Sequence, residues 1–213
     1  LCWKLDAVVR GTLPDSILDT YQTERLPHVK EVTNRAVKVG KIIVDRNVVR
    51  AAVRQRVFRT AGKVPGFDAW LRNNRWLPHA HYRAGLLAHN GNAATGWLIP
   101  QPWVINEKGD QVRFDDAVGG SWSVLYTGNE APSRDWPSVG VRILRIAPPG
   151  SSPGPDQIVD RDGTMLRWLK GKKAAAIALR PDGFVYCAAG DDQPLPPPPA
   201  GFQAPALPVK DHA

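Results

Sequence analysis

Apolar residues at Leu1, Leu5, Val8 and Val9 recur at i, i+4, i+7 and i+8, the stripe of an amphipathic helix. No Ser, Thr, Asp or Asn precedes the stripe to satisfy the first free N–H groups, so the helix reads as already running at residue 1. The chain opens on Leu and its only methionine is Met165, which fits a piece of a longer protein. Gly11 ends the stripe, and Leu13-Pro14-Asp15 opens a second helix with proline in its first turn. Ile17, Leu18 and Tyr21 continue an apolar face until Pro27, which predicts a break or kink after Arg25. A further helical pattern passes through Val29, Val32, Ala36, Val39 and Ile43, and another covers Arg46 to Thr60. Gly62, Pro65 and Gly66 interrupt it before a short helix at Phe67 to Leu71.

The period changes after residues 88–96 (AHNGNAATG), a small, polar stretch that reads as a linker or excursion loop. Leu98 to Ile105 is strand-like, with Pro100 and Pro102 marking an edge or lead-in. Glu107 to Asp110 is a turn, Phe114 to Val118 one helical turn, and Trp122 to Tyr126 and Val141 to Ile146 alternate as strands. Ile158-Val159 is a short strand, Asp162-Gly163 a turn, and Met165 to Leu169 a short helix. Ala174 to Leu179 and Phe184 to Ala188 are strands joined by the turn Arg180-Pro181-Asp182-Gly183. The expected fold is α+β. A helical segment over 1–87 leads through the linker 88–96 to a small α/β domain of thioredoxin-like type over 97–189. The proline-rich residues 190–213 are expected to be a disordered tail.

Composition narrows the class. At 213 residues, 43% apolar and 23% charged, the chain has the material of a globular protein. No run approaches the roughly 18 apolar residues that span a bilayer, and the first ten residues lack the apolar core of a signal peptide. Cys2 and Cys187 form neither a CxxC pair nor a zinc spacing, so a reduced cytoplasm is the expected compartment. Charge is uneven: residues 21–83 hold 14 Lys/Arg against 4 Asp/Glu. Arg46, Arg50 and Arg54 line one helix face with Arg56 and Arg59 nearby, opposite an apolar stripe of Val49, Val53 and Val57. This reads as the solvated face of a surface helix rather than a nucleic-acid surface, because no aromatic residues interleave with the arginines as a stacking platform requires.

Visible chemistry is sparse. There is no GxGxxG, Walker loop, GxSxG or HExxH. His79, His81 and His89 lack a Cys or carboxylate at ligand spacing, so no metal site is assigned. Asp115-Asp116 and Asp160/Asp162 stand beside turns, where carboxylates cap. A redox thioredoxin needs two cysteines after its first central strand. The sequence there is Tyr126-Thr127-Gly128-Asn129-Glu130-Ala131-Pro132, without sulfur, and Cys187 in the last strand is expected to be buried and inert.

Several motifs resemble one family. Leu1-Cys2-Trp3-Lys4-Leu5 looks like the end of the NLxWKL stretch of FAD-dependent aromatic hydroxylases. Gly11 follows at family-like spacing, and Leu18-Asp19-Thr20-Tyr21 with Glu24-Arg25-Leu26-Pro27-His28 is similar to the LLDSYxxERxPH signature. Pro100-Gln101-Pro102-Trp103-Val104, Asp115-Asp116 with Gly119, Asp162-Gly163 with Trp168, and Arg180-Pro181-Asp182 resemble the C-terminal domain of the same group, nearest the hydroxylases of 3-(3-hydroxyphenyl)propionate. The likeness runs over about residues 1–188; Gly183 departs from it, standing where the family commonly has a larger residue.

What the resemblance implies is a single-component flavin monooxygenase. It would use FAD, NAD(P)H and O₂ to hydroxylate a phenolic aromatic acid ortho to its hydroxyl, the cofactor supplying the hard chemistry. The family's FAD motifs would lie upstream of Leu1, so no catalytic, cofactor-binding or metal residue is assigned here. The chain alone is expected to be inactive and cofactor-free, with the FAD-binding part of the same polypeptide and a phenolic substrate as partners. Tyr21, Glu24, Arg25 and His28 match the signature and are expected to lock two helices together. The alternative reading is a non-catalytic thioredoxin-like dimerisation module, forming a homodimer through the basic helices or the sheet edge.

Overall fold

Backbone geometry follows the sequence pattern closely in the second half of the chain and less so in the first. The computed structural model describes residues 1–44, 47–72, 79–130, 132 and 135–202. Packing divides the chain into two units, Leu1–Glu24 with the residues from His81 onward, and Arg25–Ala80.

In the first unit, α1 (Cys2–Val9) leads through a 3₁₀ turn (Asp15–Leu18) into α2 (Asp19–Val44). The expected stripe of α1 is not its buried face. Leu1, Leu5 and Val9 are exposed, and Lys4 and Ala7 are buried instead. The helix is turned this way because Trp3 and Lys4 find polar partners inside the unit, described below. α2 also corrects the break expected at Pro27, since the helix continues through it. One missing backbone donor is outweighed by regular bonds on both sides of a 26-residue element.

Seven strands form one mixed sheet: β1 (Trp103–Ile105), β2 (Gln111–Arg113), β3 (Ser123–Tyr126), β4 (Arg142–Ala147), β5 (Gln157–Asp160), β6 (Ala176–Leu179) and β7 (Val185–Ala189). Their order is β2-β1-β5-β4-β3-β6-β7. β3 and β4 pair in parallel, as do β4 and β5, and the remaining neighbours are antiparallel. Both faces are buried, and β6 shows why: Ile177 and Leu179 point into one layer, Ala176 and Ala178 into the other. On the first face α5 (Phe114–Val118) and α7 (Thr164–Gly171) close over Phe114, Leu125, Leu144, Met165 and Ile177. On the second, the alanines leave room for Trp122, Trp136, Tyr186 and Phe202, whose rings meet at centroid separations of 5.1–6.0 Å.

Two segments expected to be loose are packed. Ala94, Thr95 and Gly96, within the stretch read as a linker, are buried. Ala88 donates its N–H to the Tyr186 carbonyl and Gly96 its N–H to that of Val185, while Asn90 Nδ2 donates to the Ala188 carbonyl. The stretch therefore lies along β7, the Asn90 side chain replacing a ladder bond. Residues 190–202, read as the start of a disordered tail, bury Leu195 and Phe202 in the aromatic layer. The Pro196 carbonyl accepts from Trp136 Nε1 at 2.8 Å. Proline richness forbids regular pairing here, yet it allows an extended strap with a large apolar side chain at intervals. The end of the expected tail, 203–213, lies outside the described residues.

The second unit consists of the rest of α2, then α3 (Val48–Ala61) and α4 (Phe67–Arg72). Asn47 caps α3, its Oδ1 accepting from Val49 N at 3.0 Å and Arg50 N at 3.2 Å. Arg46, counted in the expected arginine face, lies outside the described residues. Arg54 donates to the carbonyls of Ile42 and Ile43 at the end of α2. The valine stripe expected to be buried is not: Val49 is 72% and Val53 58% exposed.

Candidate functional site

Trp3 and Lys4 stand on adjacent positions of α1, and Glu24 lies five residues into α2. Arg180 and Asp182 belong to the turn between β6 and β7, whose bend at Gly183 takes φ +78. A left-handed residue is needed at that position, which accounts for glycine where a larger residue was expected. These elements converge on a charge cluster inside the first unit. Lys4, Glu24 and Arg180 are only 1%, 4% and 1% exposed.

Glu24 is the centre. Its Oε1 accepts from Arg180 Nη1 at 2.8 Å and from Leu86 N at 2.9 Å. Its Oε2 accepts from Lys4 Nζ at 2.8 Å and from Arg180 Nη2 at 2.9 Å. A carboxylate offers about four acceptor sites, and all are used. Arg180 is equally complete: beyond the fork to Glu24, Nε donates to Asp182 Oδ1 at 3.1 Å, Nη2 to Asp182 Oδ2 at 2.7 Å and Nη1 to the Leu86 carbonyl at 3.1 Å. All five of its N–H groups therefore have an acceptor. Lys4 Nζ also donates to Thr20 Oγ1 at 2.5 Å, and Trp3 Nε1 to Asp182 Oδ2 at 2.9 Å. The guanidinium lies 5.1 Å from the Trp3 ring and 5.6 Å from that of Tyr82, which stacks on Phe184 at 3.9 Å. Gly85 passes directly over Glu24 with φ +120; a Cβ there would overlap the Glu24 side chain.

The electrostatics follow from these contacts. Burial alone would raise Glu24, but the Arg180 fork, with Lys4 and Leu86 N–H, outweighs it and holds the carboxyl below its usual range. Burial tends to discharge Arg180, and Glu24 and Asp182 more than compensate. At Lys4 burial wins over the attraction of Glu24 and its pKa is lowered. With every Glu24 acceptor and every guanidinium donor engaged, the Glu24–Arg180 pair at the centre offers no free acceptor or donor. The cluster is a latch that holds α1 and the start of α2 against the β6–β7 turn.

The other residues singled out from the sequence are dispersed. Tyr21 and Arg25 are exposed and His28 half-buried, so of the four signature residues it is Glu24 that enters the cluster. It does lock α1 to α2, through Lys4, and it also reaches Arg180, 156 positions away. His81 stacks on Trp97 at 4.7 Å, while His79 and His89 are exposed. Among the described residues no group of three His, Cys, Asp or Glu could hold a metal ion. Asp115 and Asp116 occupy the first turn of α5, and Asp160 caps α7, its Oδ2 accepting from Leu166 N at 2.8 Å. Cys187 is buried in β7 and burial pushes its thiol well up, as expected of an inert cysteine. Sequence reasoning missed Lys4 as a buried group, and no local pattern marks it, since Leu1 and Leu5, which carry the apolar stripe, face water.

Comparison with known proteins bears directly on this latch. Residues 96–198 match the HcaD C-terminal domain family, and residues 1–36 match the FAD binding domain family. The chain is thus similar to the C-terminal part of FAD-dependent aromatic hydroxylases, in the order its motifs indicate. It is 32% identical over 209 residues to the 3-(3-hydroxy-phenyl)propionate/3-hydroxycinnamic acid hydroxylase of Mycolicibacterium vanbaalenii, covering 89% of this chain and 36% of that protein. It is 27% identical over 206 residues to the Escherichia coli protein of the same name, covering 89% and 37%. The chain spans about a third of the length of the curated relatives it matches.

Among solved structures, the fold is shared with part of OxyS anhydrotetracycline hydroxylase from Streptomyces rimosus (TM-score 0.60, 21% identity, 88% of this chain and 35% of that one). It is also shared with part of the flavin-dependent monooxygenase PieE (TM-score 0.55, 21% identity, 90% and 40%). Lys4 and Glu24 fall in the stretch that matches the FAD binding domain family and Arg180 and Asp182 in the stretch that matches the HcaD C-terminal domain family, so the latch joins the two. Among the described residues no helix is long and apolar enough to cross a membrane.

Proposed function

We propose that this chain is the C-terminal portion of an FAD-dependent monooxygenase that hydroxylates a phenolic aromatic acid of the 3-(3-hydroxyphenyl)propionate type, ortho to its hydroxyl, with NAD(P)H and O₂. The observation that carries the reading is the Glu24–Arg180 fork, which joins a segment similar to an FAD binding domain to one similar to the HcaD C-terminal domain. The names of the relatives support the substrate class.

We assign no flavin-binding residue to this chain: Glu24 and Arg180 have their acceptors and donors engaged with each other and their neighbours, and the cavities of about 590 and 620 Å³ on either side of Lys173 are open to solvent. No step of the reaction is therefore assigned to this chain. Its part is to hold the end of the flavin domain in place. We read the sheet-bearing domain as a thioredoxin-like scaffold without redox chemistry. The parallel β3–β4 pair bordered by the antiparallel β6–β7 hairpin supports this, as does the lack of sulfur after β3.

The test is turnover by the polypeptide that carries this chain together with a flavin-binding portion. It should retain FAD and consume NAD(P)H in response to 3-(3-hydroxyphenyl)propionate, giving a catechol by mass spectrometry. NAD(P)H consumption indifferent to every phenolic acid offered would overturn the reading. The 213-residue chain alone should emerge from gel filtration without flavin absorbance.

A further inference from the structure

No described side chain between Arg25 and Ala80 is buried. Helices of this length are marginal in water without an apolar face to bury, so α3 as it stands lacks the packing that stabilises a helix in a protein. Val49, Val53 and Val57 follow one another at i, i+4 and i+8 with Arg50 and Arg54 along one side. Ile42, Val49 and Val53 line an open groove of about 320 Å³, and the two arginines form its edge. An exposed apolar strip edged by like charges is the anatomy of an interface centre and rim.

What covers it is indicated by two further facts. Residues 21–83 carry 14 Lys/Arg against 4 Asp/Glu, so a second copy would set like charges against like, while an apolar ridge edged by Asp or Glu is complementary. Independently, residues 1–36, the segment similar to an FAD binding domain, also leave Leu1, Leu5, Val9, Leu26, Val29 and Val32 exposed. In residues 96–198 the exposed large apolar side chains among the described residues are Leu98 and Trp103 alone. The uncovered apolar surface thus lies in the flavin-domain segment and the helices that continue it.

We propose that the arginine-edged groove between the end of α2 and α3 is the docking surface for the flavin-binding portion of the monooxygenase, which meets it with an apolar ridge flanked by carboxylates. This rests on the preceding functional reading and adds the surface through which the two portions meet.

The test measures amide hydrogen exchange of residues 47–61 in the 213-residue chain, with and without the flavin-binding portion of the polypeptide that carries it. Exchange should be fast in the chain alone and at least tenfold slower with the flavin-binding portion present. Val53→Asp should remove that protection while leaving the slow amides of β3 and β6 unchanged. Arg50→Glu should weaken docking and reduce its salt sensitivity. The proposal is overturned if residues 47–61 stay unprotected beside a folded flavin-binding portion. It is equally overturned if they become protected in a dimer of the chain alone, on duplex DNA or on phosphatidylserine vesicles. NAD(P)H consumption separates the two readings. Docking without phenol-dependent turnover leaves the surface standing and removes the activity; turnover with residues 47–61 unprotected does the reverse. A polypeptide without a flavin-binding portion would end both.

Discussion

The two units of this chain, one formed by residues 1–24 with those from His81 onward and the other by residues 25–80, both contain helices with apolar stripes and fare differently. In the first, α1 buries Lys4 and Ala7, and the sheet is covered on both faces. In the second, α3 is a well-capped helix with a regular valine stripe and has no buried residue. Capping does not explain the difference, since α1 has no side-chain cap and α3 is capped by Asn47. What separates them is long-range partners, such as the Arg180 fork that reaches Glu24 from the far end of the sequence.

Three measurements would break or sharpen this contrast. The largest effect is expected at Glu24→Ala, which leaves Lys4 and Arg180 buried without their shared carboxylate. Removing one partner of a buried pair typically costs about 3–5 kcal/mol, and urea unfolding followed by tryptophan fluorescence would read it. Val53→Ala in the same isolated chain should stay within about 0.5 kcal/mol of the parent. Equal costs at the two positions would erase the distinction between the units.

Next comes the strap. Phe202→Ala removes a ring packed 5.1 Å from Trp122 and should cost about 3 kcal/mol in the same assay. A cost near zero would return residues 190–202 to the free tail that their composition suggests.

The smallest effect is a pH dependence. Glu24 has its folded pKa depressed, so the unfolded chain takes up its proton at higher pH than the folded one. The stabilisation is complete above the ordinary glutamate value of about 4.3 and is lost as pH falls through the lower folded value. Stability should therefore rise with pH across that acid window, and Glu24→Gln should flatten the rise. An unchanged acid limb in Glu24→Gln would show that the latch does not hold the carboxylate as its contacts indicate.

Much of the sheet-bearing domain was legible in the residues. Val141 to Ile146, Met165 to Leu169 and the hairpin about Arg180–Gly183 appear at or within two residues of their expected limits, because alternation, helical spacing and turn residues agree there. β2 and a further short helix, α6 (Asp135–Ser138), were not legible. Gln111–Arg113 is a short edge strand paired on one side, with one apolar residue, and Asp135–Ser138 is four residues containing proline, so neither shows a period. The continuation of α2 through Pro27 and the packing of 88–96 and 190–202 were misjudged for a common reason. Proline, glycine and asparagine report local freedom, and neighbours distant in sequence override it.

For the site, the motifs around Glu24 and Arg180 stood out, but nothing in either segment says that they touch. By itself, the sequence determined which stretches alternate, where the turns fall, the lack of redox sulfur, and the likeness to flavin hydroxylases, since these are properties of short windows and motifs. Tertiary structure alone decided that Lys4 turns inward while Leu1 and Leu5 face water, and that one carboxylate is shared by two buried cations. A buried charge must be neutralised by whatever lies within about 3 Å, and only the folded chain sets that neighbourhood.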